Sequence, residues 1–482
     1  MTRSTRRELA MLPLAACLAL ALAGATATAA DPARRSLARS VDSCADDGPG
    51  SLRAAVAAAA SGDTIDLSTL TCGTLTLATG AIVVAQDELT IAGPGAAALT
   101  LDAALADRVF RHTGTGTLHL RGLGLARGRT DSSGGCLAST GNLELDRVDV
   151  ADCAARDLAD GALVRGGGVH ANGDVVLRDS RVHECSAYSS NSSALGGGIY
   201  ARGTLDLQHS TVSGNDATSM APTGTLIPGG AAYAGAFGGG VASYRALTLV
   251  ASTIAANDAL APNNHGGDQA NGGGVFVAYG SATVRDSTID HNHADHLGGG
   301  AAFIHFGSSL TRIENSTISG NHAGGDAAGV FTQPSLNLTG STIAFNHTDG
   351  PRAGGVLVGF DHTGRIDSSI LAGNTAGSGP SDLGQDSRSM LWGAHNLIGV
   401  GGDTLTGTLH ADPRLGPLQD NGGPTRTHAL HSGSPAIDAG SNPAALVYDQ
   451  RGEPHPRLLG AAVDIGAFEF DAAETIFSDG FD

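Results

Sequence analysis

The stretch GGGVFVAYGSATVRDSTIDHNHA, residues 272–294, recurs in altered form along the chain. Related stretches are GGGIYARGTLDLQHSTVSGNDA at 196–217 and AAGVFTQPSLNLTGSTIAFNHT at 327–348. Each contains small residues, then two short apolar runs, a Ser-Thr pair and an asparagine. Internal similarity of this kind is the sequence signature of a repeat architecture, in which every repeat is one supersecondary unit.

A nine-residue frame aligns eight copies without gaps. Positions one and six are always Leu, Val or Ile, and position four is Ser in seven copies. The frames are 145–153, 177–185, 207–215, 249–257, 284–292, 313–321, 338–346 and 366–374. The last position is Cys in the first two copies and Asn in the other six, namely Asn215, Asn257, Asn292, Asn321, Asn346 and Asn374.

The apolar pieces of the frame are too short and too β-branched for a helical repeat. They predict short strands broken by Gly and Asn, stacked coil upon coil as a parallel β-helix. A Gly-Gly pair before the first strand permits backbone that other residues disfavour. Asparagine tolerates a left-handed bend, and stacked asparagines can form a ladder of side-chain hydrogen bonds.

The ends of the chain carry different signals. Residues 1–30 have the basic start, apolar run and small-residue end of a signal peptide; the competing interpretation is a lipoprotein signal at Leu14–Cys17. In 31–63, Ser51 can cap a helix that has Leu52, Val56 and Ala59 on one face and ends by Gly62. We expect this helix to cover the open end of the first coil, and no transmembrane segment in the mature chain.

Export permits disulfide bonds. Five cysteines follow the signal peptide, so at least one remains unpaired within the chain. Cys44 and Cys72 form a plausible pair that staples the N-terminal cap. Cys153 and Cys185 share one column of consecutive coils, within disulfide range, but Cys136 with Cys153 is an equal alternative.

Several motifs resemble known bacterial surface proteins. GSLRAAV followed by GDTIDL resembles the N-terminal motif of CSLREA-type proteins, and GPLQDNGGPTRTHALHSGSPAIDAG with DQRG and DIGAFE resembles the choice-of-anchor Q region. The repeats are similar to the right-handed parallel β-helix of the pectin lyase-like superfamily and to polymorphic outer-membrane protein repeats. This resemblance implies an all-β, right-handed parallel β-helix over 64–400, with framed repeats at 134–376, then a choice-of-anchor region at 401–470 and a tail at 471–482.

Two clusters are candidates for metal binding. His293, His322 and His347 follow the frame in three successive coils, where stacking brings their rings within about 5 Å and imidazoles can bind a transition metal. We expect mutual repulsion to lower their pKa values; the alternative is that histidine merely suits an exposed bend. In the C-terminal region, carboxylates suggest either calcium or salt bridges and caps that close the last coil. The carboxylates are Asp438, Asp449, Asp464 and Glu469, and Arg451 lies among them in the sequence.

A formal charge of −19 argues against nucleic-acid and anionic-membrane partners. The sequence therefore predicts an exported, non-catalytic β-helix for adhesion or surface architecture, located outside a Gram-negative cell or on its outer membrane, without a cofactor and with a polysaccharide or cell-surface ligand. The first alternative is a polysaccharide lyase or glycoside hydrolase that acts in a groove along the helix. The second is a binding module stabilised by calcium or another metal.

Overall fold

The computed structural model describes residues 37–158, 161–226, 234–263, 269–304, 309–359 and 361–473. Its architecture is an all-β parallel solenoid, which confirms the predicted fold class. The predicted signal peptide and the IFSDGFD stretch of the predicted tail lie outside the described residues. In the part of the chain that the structure covers, no helix is long and apolar enough to cross a membrane.

Within the described residues, three long parallel sheets of thirteen, twelve and eleven strands form the walls of the solenoid. Sheet A has thirteen strands: Ala38–Ser40, Asp63–Asp66, Leu89–Ala92, Thr117–Arg121, Asn142–Asp146, Val175–Arg178, Leu205–Gln208, Leu247–Val250, Ala282–Arg285, Leu310–Glu314, Ser335–Thr339, Thr363–Asp367 and Met390–Trp392. Sheet B has twelve: Thr74–Thr76, Thr100–Asp102, Gly124–Ala126, Asp149–Ala151, Arg181–His183, Thr211–Ser213, Thr253–Ala255, Thr288–Asp290, Thr317–Ser319, Thr342–Ala344, Ile370–Ala372 and Leu397–Ile398. Sheet C has eleven: Ile82–Val84, Phe110–His112, Leu137–Ser139, Val169–Ala171, Ile199–Ala201, Val241–Ser243, Val275–Val277, Ala301–Phe303, Val330–Thr332, Val356–Val358 and Leu383–Gln385.

Shorter sheets complete the coils. Sheet D has ten strands: Arg129–Thr130, Ala154–Asp157, Ser186–Ser189, Asp216–Ser219, Asp258–Leu260, His293–Ala294, His322–Ala323, His347–Thr348, Thr375–Ala376 and Gly379–Pro380, of which the last is antiparallel. Sheet E has four: Val164–Arg165, Ala194–Leu195, Ala236–Phe237 and Ala270–Asn271. An antiparallel pair, Leu415–Gln419 and Thr427–Leu430, follows the solenoid.

One coil visits the sheets in the order C, A, B, D and back to C. Each frame spans the end of one sheet A strand and the whole of the sheet B strand that follows it. Its sixth residues pair in register along sheet B, as in Ile254, Ile289 and Ile318, and all three are fully buried. Because side chains alternate along a strand, each sequence column becomes one inward column of the core.

Left-handed backbone occurs at two frame positions. These are the third residue, such as Asp286, and the eighth, such as His291, with φ of 52° and 54°. The expectation that asparagine itself occupies the left-handed bend was wrong: the residue before it does. The glycine expectation holds at Gly272, where φ is 71° and an added Cβ lies 2.1 Å from the Val275 carbonyl oxygen.

The N-terminal helix, α1, spans Leu52–Ala58. Ser51 is its N-cap and accepts a hydrogen bond from the Ala54 N–H. Leu52 and Val56 are buried in the main apolar core of the solenoid. The helix ends with Ala59 as C-cap, one turn before the predicted Gly62. Burial of both apolar side chains means that α1 closes the first coils against water.

Two disulfides are present among the described residues. Cys44 pairs with Cys72, and Cys136 pairs with Cys153. The second pair decides between the two open alternatives: Cys185 does not bond to Cys153 and is a buried free thiol. The bond therefore crosses one coil instead of joining two stacked frames.

The sequence suggested that the C-terminal region closes the last coil. In the structure the region also covers other coils. It runs along the outer face of sheet B, where Thr288 Oγ1 donates to the Arg426 carbonyl at 2.7 Å and Thr317 Oγ1 donates to Gln450 Oε1 at 2.6 Å. Further along, Ile465 and Phe468 pack on Ile370. The region is thus a lateral covering over several coils.

Candidate functional site

The six frame asparagines form one buried column. Each of the first five donates both its backbone N–H and its Nδ2–H to Oδ1 of the next asparagine, with side-chain distances of 2.8–3.0 Å. Asn374 ends the series on Asp382 Oδ1 at 2.8 Å. Burial raises the pKa of Asp382. Since every amide is satisfied within the column, these residues build the coil and are unavailable to a ligand.

A second ladder escaped the sequence analysis, although its serine column was visible in the frame. The N–H of Ser252 donates to Ser287 Oγ at 3.1 Å, and the N–H of Ser287 donates to Ser316 Oγ at 3.2 Å. Each hydroxyl in turn donates to the carbonyl two residues earlier, as Ser287 does to Arg285 at 2.7 Å. This column is also structural.

The histidine row lies on sheet D as predicted by the frame. His293, His322 and His347 pair in register. Their neighbouring rings lie 5.0 and 5.5 Å apart, at interplanar angles of 13° and 5°. The three histidines are not equivalent, because they contact different aspartates.

His293 belongs to a separate acidic environment. Its Nδ1 lies 3.7 Å from Asp258 Oδ1, and its Nε2 lies 3.6 Å from Asp295 Oδ1. Contact with Asp258 and the charge of Asp295 raise the pKa of His293. The expected lowering was therefore wrong for this residue, since attraction to two carboxylates exceeds repulsion by a neighbouring imidazole.

The C-terminal carboxylates are occupied by protein donors. Asp449 forms a buried salt bridge to Arg451 at 2.8 Å. Glu469 accepts the N–H groups of Leu459 and Asp464. Asp464 accepts those of Asp438 and Phe470, and Asp438 accepts that of Ala462. This bonding matches the salt-bridge interpretation, because carboxylate oxygens that already accept N–H groups are poorly placed to ligate calcium.

A different site lies on the outer face of sheet C near the N-terminal end. In this column Arg111, Ala138, His170 and Tyr200 are paired in register on successive strands. Beyond Tyr200 the column is apolar and buried, and Ala242, Phe276 and Ala302 continue it. The polar end of the column opens into a cavity of about 350 Å³.

We call this cavity the basic pocket. Its lining residues are Arg108, Arg111, His112, Thr113, Ser132, Ser133, Ala138, Ser139, Thr140, His170 and Asn172. They include two arginines and several hydroxyl groups but no carboxylate. A second cavity, of about 530 Å³, shares Ser132 and extends towards Asp107 and Asp131. The two cavities offer room for a ligand longer than one sugar ring.

Arg108 is the more buried of the two arginines of the basic pocket. It is only 9% exposed. Its Nη2 donates to Thr130 Oγ1 at 2.8 Å and to Ser132 Oγ at 2.7 Å, and its Nε donates to the Gly134 carbonyl. Within the described residues, Nη1 has no hydrogen-bond partner. Burial lowers the pKa of Arg108, the charge of Asp107 opposes this shift, and the charge of Arg111 adds to it.

His170 stacks on Tyr200, with ring centroids 5.7 Å apart. The guanidinium of Arg165 lies 5.6 Å from the centre of the same tyrosine ring. Desolvation, followed by the charges of Arg165 and Arg108, lowers the pKa of His170 to about 4. The imidazole is therefore neutral at physiological pH, in a cluster of positive charge.

His112 and Ser139 resemble a nucleophile and its base, but the fold argues otherwise. The Ser139 hydroxyl lies 2.7 Å from His112 Nδ1, and His112 Nε2 donates to the Gln86 carbonyl at 2.9 Å. Both side chains are almost fully buried and alternate with the outward Arg111 and Ala138. Burial lowers the pKa of His112. The two side chains face the core and satisfy each other's hydrogen-bonding groups there.

The basic pocket was not predicted from the sequence. A signal was present: the second residue after each glycine triplet is His170, Tyr200, Ala242 or Phe276 in successive repeats. Aligning that column would have marked His170 as the polar end of an apolar row. Arg108 precedes the regular repeats, so no column marks it.

No protein-family model and no curated protein matches the sequence. Among solved structures, the chain is similar to a pectate lyase (TM-score 0.46, 14% identity, covering 91% of this chain and 97% of that one). It is also similar to an alginate lyase in complex, with a TM-score of 0.40 and 11% identity, covering 80% of this chain and 88% of that one. A third similar structure is the A-module of a mannuronan C-5 epimerase from Azotobacter vinelandii, with a TM-score of 0.38 and 13% identity, covering 75% of this chain and 94% of that one. We draw no reaction from likenesses this distant.

Proposed function

We propose that this protein is an exported β-helix that binds a carboxylated polysaccharide in the basic pocket. The observation that carries the proposal is Arg108, a buried arginine oriented by hydroxyl groups and a carbonyl, whose Nη1 has no partner among the described residues. A planar guanidinium held in this way recognises carboxylates well. Because its position is already fixed, little conformational entropy is lost on binding.

The remaining lining residues suit an acidic sugar. Arg111 is exposed at the mouth and supplies a second cation. Asn172 and the Ser132, Ser133 and Thr113 hydroxyls provide donors and acceptors for sugar hydroxyl groups. The cavity volume falls within the usual range for small-ligand sites.

The acidic surface of the whole chain limits the kind of ligand. The formal charge of −19 opposes long, highly charged polymers. At physiological salt the screening length is about 8 Å, so the arginines of the basic pocket dominate locally. The proposed ligand is therefore a short uronic-acid segment or chain end. Secretion and surface attachment, implied by the resemblance to CSLREA and choice-of-anchor Q proteins, are part of the same proposal.

The test is binding of a uronic-acid oligosaccharide, with its carboxyl-reduced counterpart as the neutral control, measured by isothermal titration calorimetry. We expect Arg111→Gln to weaken binding at least tenfold, since a charge-assisted hydrogen bond contributes about 1.5–3 kcal/mol. The matched control is Arg147→Gln, because Arg147 is an exposed arginine whose ion pair, within the described residues, is with Asp146. Equal affinity for the acidic and neutral oligosaccharides would overturn the proposal.

A second candidate function, β-elimination of the same substrate class, is favoured by one observation. His170 lines the basic pocket together with Arg108, its imidazole is neutral, and lyase chemistry needs a base near cations that neutralise a carboxylate. Incubation with polyuronates, monitored for unsaturated products, tests it. Product that disappears in His170→Gln while binding persists would establish catalysis. Binding without product would leave the binding function alone.

A further inference from the structure

We propose that His322, His347 and Asp349 form a binding site for one divalent transition-metal ion of the zinc class. Their ligand atoms all lie within 4.8 Å of one another. His322 Nε2 is 3.4 Å from Asp349 Oδ2, and His347 Nε2 is 3.3 Å from Asp349 Oδ1. Sequence reasoning placed three histidines together, but the geometry selects two histidines and an aspartate.

The spacing suits a metal better than a direct ion pair. Hydrogen bonds between nitrogen and oxygen usually measure 2.7–3.2 Å, and both contacts here are longer. Two ligands that each lie about 2.1 Å from a tetrahedral ion are separated by about 3.4 Å. A zinc-sized ion can therefore sit between the groups after small side-chain rotations.

The backbone that carries the three ligands is fixed by the solenoid. The N–H of His322 donates to the Asn292 carbonyl and that of His347 donates to the Asn321 carbonyl, both at 2.9 Å. The N–H of Asp349 donates to the Ala323 carbonyl at 2.9 Å. Asp349 follows His347 by two residues, so both side chains lie on the same side of the chain. The site is thus preformed by the stacked coils.

A neighbouring hydroxyl orients one of the imidazoles. His347 Nδ1 lies 2.8 Å from Thr375 Oγ1, which leaves Nε2 directed to Asp349. A hydrogen bond to the second ring nitrogen is the usual support of a metal-bound histidine. His322 and His347 are partly exposed, so water can complete the coordination. The ligands favour zinc, cobalt, nickel or copper over calcium, which binds oxygen alone.

His293 stands apart from this site. It stacks on His322, but its two nitrogens contact Asp258 and Asp295 instead of Asp349. This difference supplies a matched control from the same column. If all three histidines formed the site, removing His293 would weaken metal binding as much as removing His347.

The experiment uses the chain from residue 31 onwards, without an affinity tag, titrated with Zn²⁺ at neutral pH. We expect one ion per chain, with at least tenfold weaker binding in His347→Ala and Asp349→Asn. We expect unchanged binding in His293→Ala, and tenfold to hundredfold weaker binding in Thr375→Val. Retention of that ion in a His322→Ala, His347→Ala double variant that keeps its circular dichroism spectrum would overturn the proposal.

Cobalt gives an independent readout. Bound Co²⁺ has visible absorption bands that depend on its ligands, and we expect these bands in the parent chain and in His293→Ala. Their loss in His347→Ala would support the site, whereas bands shared by all variants would contradict it. Excess Ca²⁺ is expected not to displace Co²⁺, and displacement by Ca²⁺ would argue for an oxygen-only site elsewhere.

Discussion

Asn321 donates two hydrogen bonds to a single atom of Asn346: its backbone N–H lies 3.0 Å from Oδ1, and its Nδ2 lies 2.8 Å from the same oxygen. Asn321 Oδ1 accepts the equivalent pair from Asn292. The column therefore bonds backbone to side chain and side chain to side chain at every step. A missing member leaves buried donors unsatisfied on one side and an unsatisfied acceptor on the other.

We expect Asn321→Ala to lower the free energy of unfolding by about 3 kcal/mol, because each unsatisfied buried group costs about 1–3 kcal/mol. Chemical denaturation of the two proteins measures the difference. The control is Asn337→Ala, since Asn337 is a partly exposed residue on the outer face of sheet A. Similar losses in both variants would show that the column has no special contribution.

The same column predicts a stabilising substitution at Cys185. The Cys185 N–H already donates to Asn215 Oδ1 at 3.0 Å. Its sulfur lies 3.2 Å from the His183 carbonyl and 4.0 Å from that of Val150. These carbonyls correspond to those that Asn215 Nδ2 contacts in the next coil.

We therefore expect Cys185→Asn to extend the ladder by one member and raise the free energy of unfolding by about 1 kcal/mol. Cys185→Ser, which is too short to reach Asn215, is the matched control. Denaturant titration distinguishes the two variants. A destabilised Cys185→Asn protein would mean that the disulfide of the neighbouring coil prevents the amide from fitting.

The free thiol has a chemical prediction of its own. Burial raises the pKa of Cys185 to about 12, and the thiolate is the reactive form. We expect no modification by a thiol reagent in the native chain from residue 31 onwards, and one modified thiol per chain in denaturant. Peptide mapping without reductant is expected to recover Cys136 joined to Cys153. A Cys153–Cys185 peptide would contradict the observed pairing.

Acid sensitivity is expected from His170. Its folded-state pKa, about 4, lies below the ordinary value of 6.5, so the unfolded chain binds the proton more readily. The free energy of unfolding therefore keeps its full value above about pH 6.5 and decreases as the pH falls towards 4. We expect a loss of about 1–3 kcal/mol from this group over that range. Urea denaturation at pH 7 and pH 5 measures it, and the loss is expected to be smaller in His170→Gln. An equal loss in both proteins would assign the acid sensitivity to other residues.

The stacked part of the molecule could be predicted from its sequence because register turns each frame position into a column in space. The leucine and isoleucine columns, the asparagine ladder and the stacked histidines all follow from that one rule. The left-handed residue could not be placed in the same way, since Asn, His and Asp all tolerate that conformation. In the folded chain it is the residue before the asparagine, as at His291.

Features outside the repeat were harder to predict. Asp382 ends the ladder from a position that no frame includes. Arg108 and His170 belong to different coils with different loops, so their proximity depends on the tertiary path. The C-terminal region contacts the coils through residues far apart in the sequence, such as Ser319 with His428, 109 positions apart, and Ser287 with Gln450, 163 positions apart. Such pairs have no periodic signal.

The lateral path of the C-terminal region has a consequence for when the molecule becomes complete. Coils that contact only their neighbours can form in order as the chain emerges from a ribosome or an export channel. The coils between Ser287 and Ile370 cannot finish in that order, because Gln450 and Ile465 must arrive first. Their outer surface therefore stays uncovered until nearly the whole chain has been delivered.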